Sequence, residues 1–247
     1  MIINTYGFKL WQMLLLCLLP VLCSCGKELL VEPSDPQEEN VVGFSVSQGK
    51  RIVFAPGNLS PDGLSFEENQ WDFGGLFDWS TTEQGNVLYY ADFTDWGNRI
   101  EGGWLTLTIE EWMYLLIGRD GAEEKLGTGS VDSIGGLILL PDVWRMPEGQ
   151  HFVPGFAEDN DDWSLNEYTF SDWEKMETAG AVFLPAAGDG YGVSACRVAA
   201  MGFYWSSSTR GPQAAQYVFF YSYYLAQASR GPGNQYSVRL VHDVAGE

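Results

Sequence analysis

Apolar residues recur with helical spacing at two places in this chain, and each place begins with a capping residue. The first follows Thr108-Ile109-Glu110-Glu111, a capping box in which the threonine hydroxyl and the last glutamate satisfy each other's backbone N–H groups. Trp112, Leu115 and Leu116 then recur at positions i, i+3 and i+4 of one helical face. The pattern predicts a helix of about ten residues that ends before Gly118.

A second helix is predicted to begin near Thr169, with Asp172 three residues further along the chain. Trp173 and Met176 fall on one face of this helix and are expected to point into the core. Gly180 is a typical C-terminal stop, because glycine adopts the left-handed conformation that ends many helices.

Short apolar runs separated by turn residues predict strands around these helices. A hairpin is expected around Gln48-Gly49, and long loops pinned by Trp71, Trp79 and Trp96 are expected between 56 and 100. The predicted strands are residues 42–46, 51–55, 136–141, 181–185, 203–206, 216–222 and 236–241. Two helices with a strand-rich C-terminal half indicate an α+β domain with an antiparallel sheet and long loops.

The N-terminus has the pattern of a processing signal. Lys9 precedes an apolar run, residues 10–22, and the last residue of this run begins the tetrapeptide Leu22-Cys23-Ser24-Cys25. This tetrapeptide resembles a bacterial lipobox, which implies a signal peptide at 1–24 and a lipid on Cys25. An ordinary secretory signal and a short membrane anchor are the alternatives. Residues 25–41 are acidic and contain proline, which predicts an extended tether before a single domain at 42–247.

Charge divides the domain into two unequal parts. The chain has 33 acidic and 13 basic residues and a net charge of −20, which argues against binding to nucleic acid. From Gly190 to His242, however, there is no Asp, Glu or Lys, and the segment is rich in Tyr, Ser, Gly and Arg. This residue composition is typical of binding surfaces such as antibody paratopes. The alternative interpretation is an aromatic-rich β core.

Few residues suggest catalysis or metal binding. Cys196 is the only cysteine left if Cys25 is lipidated, so no disulfide is expected, and we predict that Cys196 is a small buried residue. His151 and His242 have no partner at zinc-ligand spacing. The acidic run at 158–162 could offer oxygen ligands to calcium but is more typical of a solvated loop. We expect no metal, no cofactor and no enzymatic activity.

Several motifs resemble, in the same order, those of Bacteroidota surface lipoproteins. They are Trp104–Trp112, Leu137–Asp142, Gly180–Gly188, Tyr204–Ser208 and Ser237–Val241. Together they are similar to the Fibrobacter succinogenes major paralogous domain over about residues 44–241. The resemblance implies a C-type-lectin-like fold of the formylglycine-generating-enzyme branch. It does not imply that enzyme's activity, which uses two cysteines where this chain offers only Cys196.

The C-terminal pattern also resembles the variable region of proteins diversified by diversity-generating retroelements. That resemblance implies a scaffold made by Trp205, Ala215, Phe219, Val238 and Arg239. It also implies a set of residues that are displayed to a ligand: Thr209, Arg210, Gln213, Gln216, Tyr217, Tyr221, Tyr223, Tyr224, Gln227, Asn234 and Tyr236. In this interpretation Arg210 and Arg230 supply directional hydrogen-bond donors to the ligand.

These observations predict a lipid-anchored protein of the outer membrane that displays a recognition surface at the cell surface. The expected partner is a protein or glycan ligand, and the expected membrane contact is the lipid on Cys25. Two other functions stay open: a structural role in assembly with sibling subunits, and degradation of a polysaccharide by an unidentified pair of carboxylates.

The lipidation prediction can be tested in the full-length protein expressed in a Gram-negative host. The Cys25→Ala variant is expected to lose incorporation of a labelled fatty acid, because only the cysteine that becomes N-terminal is acylated. Cys23→Ala, two residues away, serves as the matched control and should retain the label. Labelling of the Cys25→Ala variant at the control's level would contradict the prediction.

Overall fold

The computed structural model describes residues 43–79, 93–192, 194–231 and 233–244. The predicted signal peptide at 1–24, the lipidation site Cys25 and the predicted tether at 25–41 lie outside the described residues. The described residues belong to one compact unit, Glu39–Glu247. None of the helices that the structure describes is long and apolar enough to cross a membrane.

The described residues form two α-helices and fourteen short strands. The helices are α1 (Ile109–Met113) and α2 (Phe170–Thr178). The strands are β1 (Phe44–Ser47), β2 (Lys50–Phe54), β3 (Phe77–Asp78), β4 (Leu126–Val131), β5 (Ile134–Leu139), β6 (Glu167–Tyr168), β7 (Val182–Pro185), β8 (Asp189–Tyr191), β9 (Ser194–Cys196), β10 (Gly202–Thr209), β11 (Ala215–Tyr221), β12 (Tyr224–Arg230), β13 (Asn234–Tyr236) and β14 (Val241–Asp243).

The α1 helix begins at the capping box that the sequence predicts. The Thr108 hydroxyl accepts the Glu111 backbone N–H at 3.1 Å, and the Glu111 carboxylate accepts the Thr108 N–H at 2.8 Å. The helix continues into a π-helical turn, Tyr114–Gly118, and so includes the glycine before which it was expected to end. Its buried residues include all three that the spacing predicts: Trp112, Leu115 and Leu116.

The α2 helix covers a four-stranded sheet with the order β6-β4-β5-β7. The Thr169 hydroxyl caps the helix by accepting the Asp172 N–H at 3.1 Å, and Gly180 follows its end with a φ of 100°. Trp173 and Met176 are fully buried, as predicted, in a cluster with residues of β4, β5 and β7. The same cluster therefore fixes the helix to the sheet.

The two ends of the described domain meet in a three-stranded antiparallel sheet. β1 and β2 form the expected hairpin, and β14 pairs with the other edge of β2. The chain reaches β14 from β13, which belongs to a separate sheet with the order β3-β13-β8-β9. The predicted strand at 236–241 is therefore wrong: these residues include the end of β13 and the start of β14, because the chain passes from one sheet to another.

β10, β11 and β12 form an antiparallel meander whose middle strand packs on both sides. Val218 and Phe220 of β11 join a core cluster with α1, β1 and β5. Ala215 and Tyr217 join a second cluster with residues of β3, β10 and β13. Successive strand residues point to opposite faces, so β11 connects two cores with a single strand.

The structure confirms a mixed α+β class with two α-helices and several antiparallel sheets. β4 and β12 lie where no strand was predicted. β4 contains Gly127 and Gly129 in place of large apolar residues, and a Cβ added at Gly129 would come within 2.3 Å of the Asn166 carbonyl oxygen. Neighbouring backbone thus approaches β4 so closely that small residues are required there. These glycines interrupt the alternation of apolar residues from which a strand is usually predicted.

Removal of the α1 cap should reduce the stability of the domain. We expect Thr108→Ala to lower the free energy of unfolding by about 1 kcal/mol, because the hydroxyl satisfies an otherwise unpaired N–H of the first helical turn. Urea unfolding followed by tryptophan fluorescence measures the change. The control Thr108→Ser retains the hydroxyl and should stay close to the unchanged protein; equal losses in both variants would contradict the cap's role.

Candidate recognition surface

Six aromatic residues form a continuous stack on one face of the β10–β12 meander, which we call the aromatic ladder. Its members are Trp205, Tyr236, Tyr217, Phe203, Phe219 and Tyr221. The shortest separations are between the rings of Tyr236 and Trp205, at 4.3 Å, and of Tyr236 and Tyr217, at 4.5 Å. At the other end the rings of Phe219 and Tyr221 are 6.1 Å apart.

Strand pairing explains how residues far apart in sequence form this ladder. Phe203 and Trp205 of β10 pair with Phe219 and Tyr217 of β11, so their side chains share one face of the sheet. β13 then places the Tyr236 ring over the same face, where it stacks with Phe203 at 5.0 Å.

Two residues predicted to be displayed are instead buried at the inner end of the ladder. Tyr217 is 5% exposed and Tyr236 is 1% exposed, so the prediction that they contact a ligand is wrong. The physical reason is the closure of β3 and β13 over this part of the meander. Burial raises the pKa of the Tyr236 hydroxyl well above its usual value.

The outer end of the ladder reaches solvent at the β11–β12 turn. Tyr221 is half-buried, whereas Tyr223 and Tyr224 are 44% and 49% exposed. The Tyr223 ring lies 5.4 Å from Tyr221, and the Tyr224 ring lies 6.0 Å from Phe219. The exposed rings therefore contact the half-buried outer members of the ladder, Tyr221 and Phe219.

Arg197, which is not among the residues predicted to contact a ligand, lies above this part of the sheet. Its guanidinium is 5.1 Å from the centre of the Phe203 ring. Its Nε donates to Oδ1 of buried Asp189 at 2.8 Å, and a second N–H donates to Oδ2. These hydrogen bonds raise the pKa of Arg197, so it stays a cation. It could have been noticed as one of the four arginines of the acid-free segment.

The charge of the acid-free segment is smaller at the surface than its sequence suggests. Arg239 is 1% exposed, donates to the Pro56 carbonyl oxygen at 3.2 Å and is part of the scaffold, as predicted. Arg197 is paired with Asp189. Arg210 and Arg230 are the two arginines of this segment that are exposed without a salt bridge among the described residues.

The remaining predicted positions do not form one patch. Thr209, Arg210 and Gln213 are exposed at the β10–β11 turn, at the opposite end of the strands from Tyr223. Gln216 and Gln227 lie on the other face of the meander, because they alternate with the ladder residues along β11 and β12. Half-buried Asn234 donates to the Gly231 carbonyl oxygen at 3.1 Å and holds the β12–β13 turn.

We call the solvent-accessible residues on this side of the meander, from the β11–β12 turn to the far end of β12, the recognition surface. It consists of Arg197, Tyr221, Tyr223, Tyr224 and Arg230. Along β12, between Tyr224 and Arg230, the residues on this face are Ala226 and Ala228, which pair with Phe219 and Tyr217. The small alanine side chains leave a shallow trough between an aromatic ring and a cation.

The scaffold and cysteine predictions have different outcomes. Trp205, Ala215 and Val238 are buried as expected, whereas Phe219 is half-buried within the ladder. The prediction of a buried Cys196 is wrong, since this free thiol is exposed on β9, the outer strand of its sheet. An outer strand has no neighbour to cover its far edge, so a small apolar residue there stays in contact with solvent.

The structure brings no metal-ligating set together within the described residues. No group of three or more His, Cys, Asp or Glu side chains there could hold a metal ion. In the acidic run, Asp162 accepts the Ser164 N–H at 2.9 Å, and hydrogen bonds from Ser164 lower the pKa of its carboxyl group.

Two clefts on the described surface lie away from the recognition surface. One of 540 Å³ follows α2 and is lined by Pro147, Ser171, Glu174, Lys175, Thr178 and Ala179. Another, of 260 Å³, lies between β2 and the end of α2. Neither is lined by a residue predicted to bind a ligand. An open, shallow surface is more typical of recognition of a macromolecule than of a small molecule.

Comparisons with known proteins give no relative from which a function could be transferred. No family model matches the chain, and no curated protein and no solved structure is significantly similar to it.

The two ends of the ladder should respond differently to truncation. We expect Tyr236→Ala to lower the free energy of unfolding by about 3–5 kcal/mol, as is usual for a large buried aromatic ring. Tyr224→Ala should change it by only about 0.5 kcal/mol, because that ring is half-exposed. Urea unfolding measures both. Equal losses in the two variants would show that the ladder has no exposed end.

Proposed function

We propose that this protein is a non-enzymatic binding protein that captures a protein or glycan ligand at the cell surface. In this proposal a lipid on Cys25 anchors it to the outer membrane, and the recognition surface contacts the ligand. The observation that carries the proposal is the continuity of the exposed rings of Tyr223 and Tyr224 with the buried aromatic ladder.

Rigid support of exposed aromatics favours binding for a thermodynamic reason. A ring that is already held by its neighbours loses little side-chain entropy when a ligand covers it. Tyrosine and arginine are also enriched among the residues that contribute most to binding free energy in protein interfaces. Arg197, over the Phe203 ring, and Arg230, at the far end of β12 from Tyr224, provide donors that would orient an acidic or hydroxyl-rich ligand.

The absence of free carboxylates from the recognition surface supports binding over hydrolysis. Glycoside hydrolysis requires two carboxyl groups beside the scissile bond. Asp189, next to this surface, is 5% exposed and engaged by Arg197. Asp159 lies beside the β11–β12 turn, where its backbone carbonyl oxygen accepts the Ser222 hydroxyl at 3.0 Å. The five residues that form the recognition surface supply hydrogen-bond donors and aromatic area, and none of them is a carboxylate.

We also propose that the domain has a C-type-lectin-like fold and that part of its surface is diversified by a retroelement. Two helices, antiparallel strands and long loops are what a C-type-lectin-like domain of the formylglycine-generating-enzyme branch would have, and the motifs between 104 and 241 favour this assignment. Exposed Thr209, Arg210 and Gln213 could vary without loss of a core contact, which is compatible with diversification by a retroelement.

Capture by cells that display the full-length protein tests this function. Cells are incubated with a labelled glycan library and with labelled extracellular proteins, and retained ligands are identified. We expect the combined change of Tyr221, Tyr223 and Tyr224 to alanine to reduce capture at least tenfold with little change in the unfolding midpoint, because these rings form the contact.

The matched control removes exposed apolar side chains elsewhere. Leu64→Ala with Ile117→Ala changes residues that are 58% and 64% exposed, outside the recognition surface, and should leave capture intact. Retained capture by the triple tyrosine variant would contradict the proposed site. Turnover of a glycan by the unchanged protein would contradict the non-enzymatic function.

A further inference from the structure

β12 is the outer strand of the meander and has one unpaired edge among the described residues. It pairs with β11 over its whole length, from Tyr221↔Tyr224 to Ala215↔Arg230, without a register shift. Among the residues that the structure describes, no strand and no loop backbone group bonds to its other edge. The outer edge of this seven-residue strand thus presents unpaired backbone groups to solvent.

This edge lacks the features that usually prevent strands of different molecules from pairing. Natural edge strands are protected by lysine, proline, a bulge or an inward-pointing charge. β12 has the sequence YLAQASR, with no proline, no bulge in its pairing with β11 and no charge before Arg230 at its end. Its edge is therefore competent to accept another strand.

The β11–β12 turn determines which backbone groups face outward. Tyr221 and Tyr224 close a two-residue turn, and in such hairpins the closing pair exchanges both of its N–H···O bonds. Hydrogen-bonded and non-hydrogen-bonded pairs alternate along an antiparallel ladder. The N–H and C=O groups of Leu225, Gln227 and Ser229 consequently point away from β11.

We propose that β12 pairs antiparallel with β12 of a second copy of this chain, in the register centred on Gln227. Each Gln227 then lies opposite the same residue of the second copy, and Leu225 lies opposite Ser229. All three outward-facing residues of each strand exchange both backbone bonds in this register. The pairing is two-fold symmetric, as expected of a homodimer interface.

Side chains along β12 are complementary to themselves in this register. Tyr224 of each copy lies opposite Arg230 of the other, which places a guanidinium beside an aromatic ring. Small Ala226 lies opposite small Ala228. The two Arg230 side chains are about 20 Å apart, six residues along the strand, whereas parallel pairing would bring them side by side. Charge therefore favours the antiparallel pairing of two copies.

Pairing of two meanders makes one six-stranded sheet with both aromatic ladders on the same side. Residues opposite each other on paired strands share a face, so Tyr224 of one copy and Arg230 of the other face the same ligand. If the proposed function holds, a repetitive ligand binds two sites at once and gains avidity. The dimer itself does not depend on that function.

Co-capture of two differently tagged full-length copies tests the dimer and its register. Three pairs of variants are compared with the unchanged pair. In the first, both copies carry Gln227→Lys; in the second, both carry Gln227→Glu; in the third, one copy carries Gln227→Lys and the other carries Gln227→Glu. Like charges directly opposite each other destabilise strand pairing, and opposite charges stabilise it. We expect co-capture of the unchanged chains, a loss of at least fivefold in both like-charged pairs, and recovery in the mixed pair.

The matched control places the same charges at Gln213, an exposed glutamine of the β10–β11 turn outside β12. Its lysine and glutamate variants should be captured like the unchanged chain in every combination. Recovery in the mixed Gln227 pair cannot result from misfolding, since each variant fails only with itself. Absence of co-capture by unchanged chains, or co-capture unaffected by Gln227→Lys, would overturn the proposal.

Discussion

Both faces of β11 pack against apolar layers, so a shift of its register by one residue would move every side chain into the wrong layer. Val218 and Phe220 face the core that contains α1, while Ala215 and Tyr217 face the core closed by β13. β10 and β12 take their positions from this strand through antiparallel pairing, which is continuous along β12 and has one register shift in β10 between Trp205 and Thr209. The positions of the five ladder rings on β10 and β11 thus follow from the register of β11, whereas β13 positions the Tyr236 ring.

The ladder extends from the buried core to the protein surface, so the register of β11 also sets where the exposed rings lie. Its inner rings, Trp205, Tyr217 and Tyr236, are nearly inaccessible to solvent, and its outer rings at the β11–β12 turn are half-exposed. An unsupported surface tyrosine would have to be ordered by its ligand, whereas Tyr224 already rests against Phe219. Pre-organisation of this kind lowers the entropic cost of binding.

Sequence patterns predicted the structural features that depend on residues close together in the chain. The features that were not predicted depend on contacts between residues far apart in the chain. The Thr108 capping box, the inward faces of both α-helices and the β1–β2 hairpin depend on neighbouring residues, and all three were predicted from sequence. The burial of Tyr236 depends on β13 crossing the meander, and the Arg197–Asp189 pair depends on the β8–β9 hairpin. No period in the sequence reveals such contacts, and β12 was missed because its alanines and edge position give it no apolar alternation.

Hydroxyl-radical footprinting of tyrosines, with and without a captured ligand, shows whether the exposed rings at the β11–β12 turn form the ligand contact. Side-chain labelling measured by mass spectrometry reports the solvent exposure of each ring. We expect strong labelling of Tyr223 and Tyr224 in the free protein, protection of both by the ligand, and little labelling of Tyr217 and Tyr236 in either state. Unchanged labelling of Tyr223 and Tyr224 on binding, or strong labelling of Tyr236 in the free protein, would contradict this expectation.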